Sequence, residues 1–238
     1  MTTVVTGGAR GIGAAICRRL AAAGHQVIVL DRETPEETLP HEQFVAIDLT
    51  DRDLLVAEAA ALAESYAITG IVHNAGVIRP ALLPEVKLED FDYLAGLHIG
   101  AAMILAQAAL PAMKASGFGR IVNISSRAAL GLATRSSYSA TKAALLGMTR
   151  TWALELAPLG ITANAIAPGP VETDQFHELI PADSPKKAQV ASAVPVGRLG
   201  TPEDIAHAVA FLMAEESGFI TGQTLYVCGG TSVGSLTL

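Results

Sequence analysis

Thr2-Thr3-Val4-Val5-Thr6-Gly7-Gly8-Ala9-Arg10-Gly11-Ile12-Gly13 is the stretch that decides the fold. Thr2 to Thr6 is rich in β-branched residues and too short for a helix, so it reads as a strand. Gly7-Gly8 ends it, and Gly11 to Ala23 reads as a helix that stops at Gly24. A strand, a glycine turn and a helix make the first half of a βα unit. The glycines let the chain turn tightly and bring backbone N–H groups and a helix N-terminus up to a pyrophosphate. Gly13 lacks a side chain where helix and strand must come close.

The rest of the chain repeats that pattern. Strands are expected at Gln26–Leu30, ending at Asp31, at Phe44–Ile47, closed by Asp48, and at Gly70–Val72, followed by Asn74-Ala75-Gly76. Further strands are expected at Arg120–Ile124, at Thr162–Ile166 running into Pro168-Gly169-Pro170, and at Gln223–Val227. Helices are expected at Asp51–Glu64 with Asp51 as N-cap, at Glu89–Met113, at Ser137–Ala157, and from Pro202 with Thr201 as N-cap. Glu172 to about Val194 reads as polar and irregular.

The strand runs are apolar without alternation, so helices must cover both sheet faces. The expected architecture is a Rossmann-type α/β fold, a doubly wound parallel sheet in a single domain spanning residues 1–238. The punctuating residues Gly7, Asp31, Asp48, Asn74, Ser125/Ser126 and Pro168 all fall at strand carboxyl ends, where ligands of such sheets bind.

Composition agrees with this class. Of 238 residues, 50% are hydrophobic and 16% charged, enough for a two-faced core. The net charge of -7 argues against a nucleic-acid partner. Cys17 and Cys228 have no CxxC spacing and read as reduced, packed thiols. No carboxylate/His/Cys cluster has metal-ligand spacing. Residue 1 runs straight into a strand and the apolar stretches are broken before about 18 residues. A cytoplasmic protein with no membrane partner is therefore expected.

Asp31 ends the second strand, where a carboxylate can hydrogen-bond both adenosine-ribose hydroxyls of a dinucleotide and repel a 2′-phosphate. That favours NAD. Arg32 follows it and Arg10 sits in the glycine turn, and either could pair with the 2′-phosphate of NADP. Farther along, Tyr138 and Lys142 lie four residues apart on one helix and share a face. A nearby cation, joined by the positive nicotinamide ring of a bound cofactor, favours the phenolate, so a lowered phenol pKa is expected, with Tyr138 as general acid or base. Ser125 and Ser126 end the strand just upstream, where a hydroxyl can hold a substrate oxygen.

These pieces together resemble the short-chain dehydrogenase/reductase family over essentially the whole chain, closest in pattern to 3-oxoacyl-carrier-protein-reductase-like members. The matching segments are Thr6–Gly13, Asp48-Leu49, Asn74–Gly76, Asn123–Ser126, Tyr138–Lys142, Asn164–Gly169, Pro195–Gly200 and Ile220–Gly222. The resemblance implies Gly7, Arg10, Gly11, Ile12 and Gly13 at the cofactor's pyrophosphate side, and Asp48 and Leu49 at the adenine. It puts Asn74, Ala75 and Gly76 along the adenosine ribose, and Lys142 on the nicotinamide ribose as well. Pro168, Gly169, Val171 and Thr173 would border the nicotinamide. Ser126, Tyr138 and Lys142 would be the catalytic trio, with Ser125 as fallback for the serine.

Two positions depart from the family pattern. His98 stands where the family has an asparagine that orders a proton relay to the lysine, and His73 stands where a second asparagine is common. His98 can carry a relay with a different pH response, or be a packed or capping histidine without a proton role. The resemblance further implies a substrate lid at residues 173–194 and a homotetramer formed through the two long helices. Lys186-Lys187, Arg127 and Arg79 are candidates to meet an anionic substrate.

Three functions follow. The first is NAD-dependent hydride transfer between the cofactor and the carbonyl/alcohol carbon of a small secondary or cyclic alcohol or ketone. The second is NADPH-dependent reduction of a 3-oxoacyl thioester. The third is a non-catalytic nucleotide-binding regulator.

Overall fold

A computed structural model describes residues 1–37, 39 and 42–233. The strands are β1 (Thr2–Thr6), β2 (Gln26–Asp31), β3 (Glu42–Ala46), β4 (Ile68–His73), β5 (Gly119–Ile124), β6 (Ile161–Pro168) and β7 (Thr224–Val227). The helices are α1 (Gly11–Ala22), α2 (Arg52–Ser65), α3 (Leu88–Ala95), α4 (Ala101–Ser116), α5 (Ser136–Leu156), α6 (Asp174–Leu179), α7 (Pro185–Ala193) and α8 (Pro202–Met213).

The sheet order is β3-β2-β1-β4-β5-β6-β7, and every neighbouring pair is parallel. The chain leaves the centre from β1 toward β3, then returns to β4 and proceeds to β7. A crevice opens where those directions diverge, beyond the carboxyl ends of β1 and β4. The expected fold class is therefore found.

Side-chain alternation along each strand feeds two cores. Val4, Ile28, Ile71 and Ile121 face a layer containing Leu55, Leu62, Leu105 and Met113 from α2 and α4. Val5, Val29, Val72 and Val122 face Ile16, Leu20, Val209 and Leu212 from α1 and α8. β5 and β6 are buried at every residue, which is why their sequences show no polar alternation.

Helix starts follow local chemistry. Asp51 accepts a hydrogen bond from Leu54 N and caps α2, as expected. Thr201 and Asp204 form a reciprocal capping box on α8, with Pro202 at the first helical position.

Two stretches depart from expectation. Residues 172–194 are not irregular; they form α6 and α7, capped by the Thr173 and Ser184 hydroxyls. Neither helix buries a residue fully, so no apolar periodicity marked them in the sequence. The long helical run is also interrupted. Gly96–Gly100 forms a π-helical turn that joins α3 to α4 in one 29-residue rod, Leu88–Ser116. By length and composition this rod could cross a membrane, which corrects the expectation that no stretch qualifies. In this fold its Ala101, Leu105, Ala109 and Met113 pack into the core beneath β4 and β5.

Candidate active site

The glycine turn is held from both sides. Gly7 adopts φ +65° and donates to Leu30 O at 2.9 Å, tying the turn to β2. A Cβ on Gly13 would lie 1.8 Å from the Gly7 carbonyl oxygen, so no other residue fits there. The Asn74 amide donates to Thr6 O at 3.1 Å and Gly7 O at 2.9 Å, bracing the turn from β4. The first N–H groups of α1 and the open face of Gly11, which is at φ +55°, border the crevice. This cradle suits a pyrophosphate.

At the end of β2, Asp31 accepts Ala9 N at 3.0 Å on one oxygen and Glu33 N at 3.1 Å on the other. A carboxylate has about four acceptor sites, which leaves capacity for two ribose hydroxyls. The arginines beside it are already paired. Arg10 meets Glu33 at 3.3 Å, and Arg32 meets Asp48 at 3.8 Å. Asp48 also accepts from Thr50 N and Oγ1. Burial pushes the Asp48 carboxyl upward, but the Thr50 bonds and the Arg32 charge outweigh it and leave the pKa lowered.

The serines separate cleanly. Ser125 is buried and donates to the Lys142 carbonyl at 2.7 Å, so its hydroxyl is spent within the scaffold. Ser126 caps a short 3-10 turn by accepting Ala128 N at 3.1 Å and lines the crevice, near enough to the Tyr138 phenol to favour its ionised form. Of the two, Ser126 is the one that faces Tyr138.

Tyr138 lines the same cavity, and its own surroundings act on its titration. Burial raises its pKa, while the Ser126 hydroxyl and the Arg135 charge only partly oppose that. Lys142 is not among the groups that shift it. Its Nζ sits 5.8 Å from the phenol ring centroid, donates to Ile124 O at 2.8 Å, and burial drives its own pKa down to about 7. A desolvated lysine this close to neutrality carries less charge to share.

The two histidines are buried and neutral. Thr6 Oγ1 accepts Asn74 N and Ala75 N, each at 3.0 Å, so its own proton is left for His73 Nδ1 at 3.1 Å. His73 therefore carries its proton on Nε2, which points toward the Leu97 and His98 carbonyls without reaching bonding geometry. Burial, with the Lys142 charge, pushes His73 down to about 3.

His98 takes the opposite tautomer. Thr141 Oγ1 gives its proton to the Ser137 carbonyl at 3.0 Å, so it accepts from His98 Nδ1 at 2.9 Å. Nε2 is left as a bare acceptor with no hydrogen-bond partner among the described residues. It faces the same small space as the Lys142 ammonium. A Cβ on Gly76 would lie 3.0 Å from His98 Nε2 and 3.1 Å from Lys142 Nζ. Burial and the Lys142 charge hold the His98 pKa far below its ordinary value.

One cavity of about 1020 Å³ gathers these parts. Every cofactor residue expected from the sequence lines it, from the Gly7–Gly13 turn through Asp31, Arg32, Asp48, Leu49 and Asn74–Gly76 to Pro168, Gly169, Val171 and Thr173. Ser126, Tyr138 and Lys142 line it too, whereas His98 lies behind the wall, against Lys142. Thr173 has two roles, since it also caps α6 through Phe176 N at 3.2 Å.

The expected basic pair does not reach the cavity: Lys187 is bound to Glu172, and neither Lys186 nor Lys187 lines the wall. Arg79 lines it but is engaged with Asp90 at 3.7 Å and lies over the Tyr93 ring. Arg135 lines it as well, and sequence reasoning missed it because a residue just ahead of a helix carries no chemical signature.

Known proteins share this frame. A family model described as enoyl-(acyl carrier protein) reductase matches residues 7–232. The chain is 38% identical to the short-chain reductase protein NovJ of Streptomyces niveus, over 95% of this chain and 92% of that protein. It is 37% identical to the 3-oxoacyl-[acyl-carrier-protein] reductase FabG of Rickettsia bellii, over 96% and 95%. It superposes with a TM-score of 0.89, at 34% identity over 98% and 97% of the two chains, on a crystal structure from Beutenbergia cavernae. That structure is of a candidate NAD(P)-dependent gluconate 5-dehydrogenase carrying NADP at low occupancy.

Proposed function

The chain belongs to the short-chain dehydrogenase/reductase family, and from that premise we propose that it transfers a hydride between NAD(H) and the carbonyl/alcohol carbon of a small secondary or cyclic alcohol or ketone. The observation that carries the choice of NAD is Asp31, aimed into the crevice beside Glu33, with Arg10 and Arg32 already matched to carboxylates. A 2′-phosphate brought within 4 Å of Asp31 would be opposed by about 4 kcal/mol per unit charge at an effective dielectric near 20. Exposed ion pairs contribute only about 0–1 kcal/mol. Releasing either arginine would thus be easy, but each released arginine leaves behind a carboxylate that also repels the phosphate.

In this reading the Gly7–Gly13 turn holds the pyrophosphate, Asp31 the adenosine ribose, and Pro168, Gly169, Val171 and Thr173 border the nicotinamide. When bound, the nicotinamide supplies or accepts the hydride. Ser126 holds the substrate oxygen, with one lone pair already satisfied by Ala128 N and its proton free to donate. Tyr138 delivers a proton to that oxygen in reduction and removes one in oxidation. Lys142 recharges the phenol, and His98 Nε2 is the bare acceptor that faces the same space as the lysine. The chain assembles as a homotetramer, supported by the exposed apolar residues Met103 on α4 and Leu154 on α5.

A second reading is NADPH-dependent reduction of a 3-oxoacyl thioester. It is favoured by the similarity to named 3-oxoacyl-carrier-protein reductases and by the NADP in a structural relative.

Titration with NADH and NADPH, followed by nicotinamide fluorescence, separates the two. Tighter NADH binding that is lost in Asp31→Ala is the expected result. Tighter NADPH binding in the unaltered protein would replace the first reading with the second.

A further inference from the structure

Arg135 occupies an unusual place. It precedes the first residue of α5, and the residue before it, Thr134, has φ +65°. Thr134 is the one non-glycine with positive φ among the described residues, and a β-branched side chain makes that conformation strained. The strain is pinned from outside. Ala81 N donates to Thr134 O at 3.0 Å, and Ala81 pairs with Arg135 in an isolated parallel bridge. The Arg135 guanidinium donates back to Thr134 through its carbonyl at 3.2 Å and through its hydroxyl. A disfavoured backbone is thus used to aim one side chain.

That side chain lines the cavity, half-buried and close enough for its charge to act on Tyr138. Arg127 lines the same wall, directly after Ser126, and is also half-buried. Among the described residues neither arginine has a carboxylate within 4.0 Å. The contrast with Arg10, Arg32, Arg79 and Arg198 is direct, since each of those meets an acid. Asp174 and Glu178 also border the cavity but are exposed to solvent. Two half-buried guanidinium groups therefore flank Ser126 and Tyr138 without a counter-ion from the chain itself.

We infer that Arg135 and Arg127 form an anion subsite that binds the carboxylate of an oxo acid or hydroxy acid, with its reacting carbon between Ser126 and Tyr138. The planar guanidinium fork matches a carboxylate in two parallel hydrogen bonds, and partial burial strengthens each. The carboxylate undergoes no bond change; it fixes the distance from the acid group to the carbon that exchanges hydride. The inference rests on the hydride-transfer reading above and narrows it to a substrate class.

The test compares small oxo acids with their methyl esters, pair by pair, using the protein saturated with its reduced cofactor. The acids should show kcat/KM at least 10-fold above their esters, and Arg135→Gln should shrink that ratio toward one by raising KM for the acid. Arg127→Gln should do the same more weakly, and Arg135→Lys should recover part of the ratio. Calorimetry gives a readout independent of turnover: malonate, which has no reducible carbonyl, should bind the unaltered protein and not Arg135→Gln.

Equal turnover of acids and esters, or a ratio unmoved by Arg135→Gln, overturns the subsite while leaving hydride transfer intact. A preference for coenzyme A thioesters over both overturns the carboxylate assignment, because the arginines would then serve the phosphates of a carrier. Reduction of neither acid, ester nor thioester, despite cofactor binding, overturns the parent reading and the subsite with it.

Discussion

The two sides of the crevice are made of different material. On the β1–β2 side, backbone sets the shape: Gly7 and Gly11 in left-handed conformations, Gly13 pressed on a carbonyl, and polar groups satisfied by nearby N–H groups. On the β4–β5–α5 side, buried side chains set it: His73, His98 and Lys142 lie inside, each with its pKa lowered by desolvation. The first side is a mould and tolerates little change in volume. The second is an electrostatic device, and small changes in charge or proton position alter it.

The difference can be tested by asking which quantity each region controls. Replacing Tyr138 with Phe removes the proton donor and should lower kcat about 1000-fold, the scale of general acid catalysis. Cofactor affinity measured by fluorescence should move less than about twofold, since the phenol adds little to binding. A comparable loss of affinity would erase the division between the two sides.

Gly13→Ala is the converse. Its Cβ would fall 1.8 Å from the Gly7 oxygen, so the turn must shift. Affinity for NADH and NADPH alike should fall about 100-fold, roughly 2.7 kcal/mol. Turnover at saturating cofactor should survive in large part. Unchanged affinity would show that the turn is not the mould described here.

The smallest expected effect lies in the response to pH. His73 titrates near 3 when folded, His98 is shifted the same way, and an unfolded histidine titrates near 6.5. Between those values the unfolded chain binds protons that the folded chain does not. Stability is therefore full above pH 6.5 and is lost as the pH falls toward 3. Each histidine should contribute about 2 kcal/mol of loss between pH 7 and pH 5. Urea denaturation at both values should give His98→Asn a loss smaller than that of the parent protein by this amount. Identical losses would mean that His98 is protonated inside the fold.

The same division explains what could be read from the sequence. The mould was legible because glycine spacing and a terminal acid are rules about backbone and position, and Gly7, Gly13 and Asp31 follow them. The doubly wound parallel sheet was legible from repeated βα units. The electrostatic side was legible only in its residue types. That Tyr138 sits with a raised pKa, and that Ser125 turns its hydroxyl to the Lys142 carbonyl, depends on burial and rotamers that no spacing encodes. α6 and α7 escaped because they bury nothing fully, and Arg135 because its aim comes from Thr134 and Ala81 rather than from its neighbours' chemistry.

The π-helical turn at Gly96–Gly100 holds one residue more than an α-helical turn would. Since each residue advances an α-helix by about 100°, the surplus sets α3 and α4 out of phase with one another. Leu94 is buried before it, Leu97 and His98 within it, and Ala101, Ala102 and Leu105 after it. Chain length here acts as a dial that selects which residue meets Lys142. Deleting one residue would pass that place to Leu97 or Ile99, neither of which can accept a proton. Over evolutionary time this stretch should tolerate many substitutions and almost no insertions or deletions.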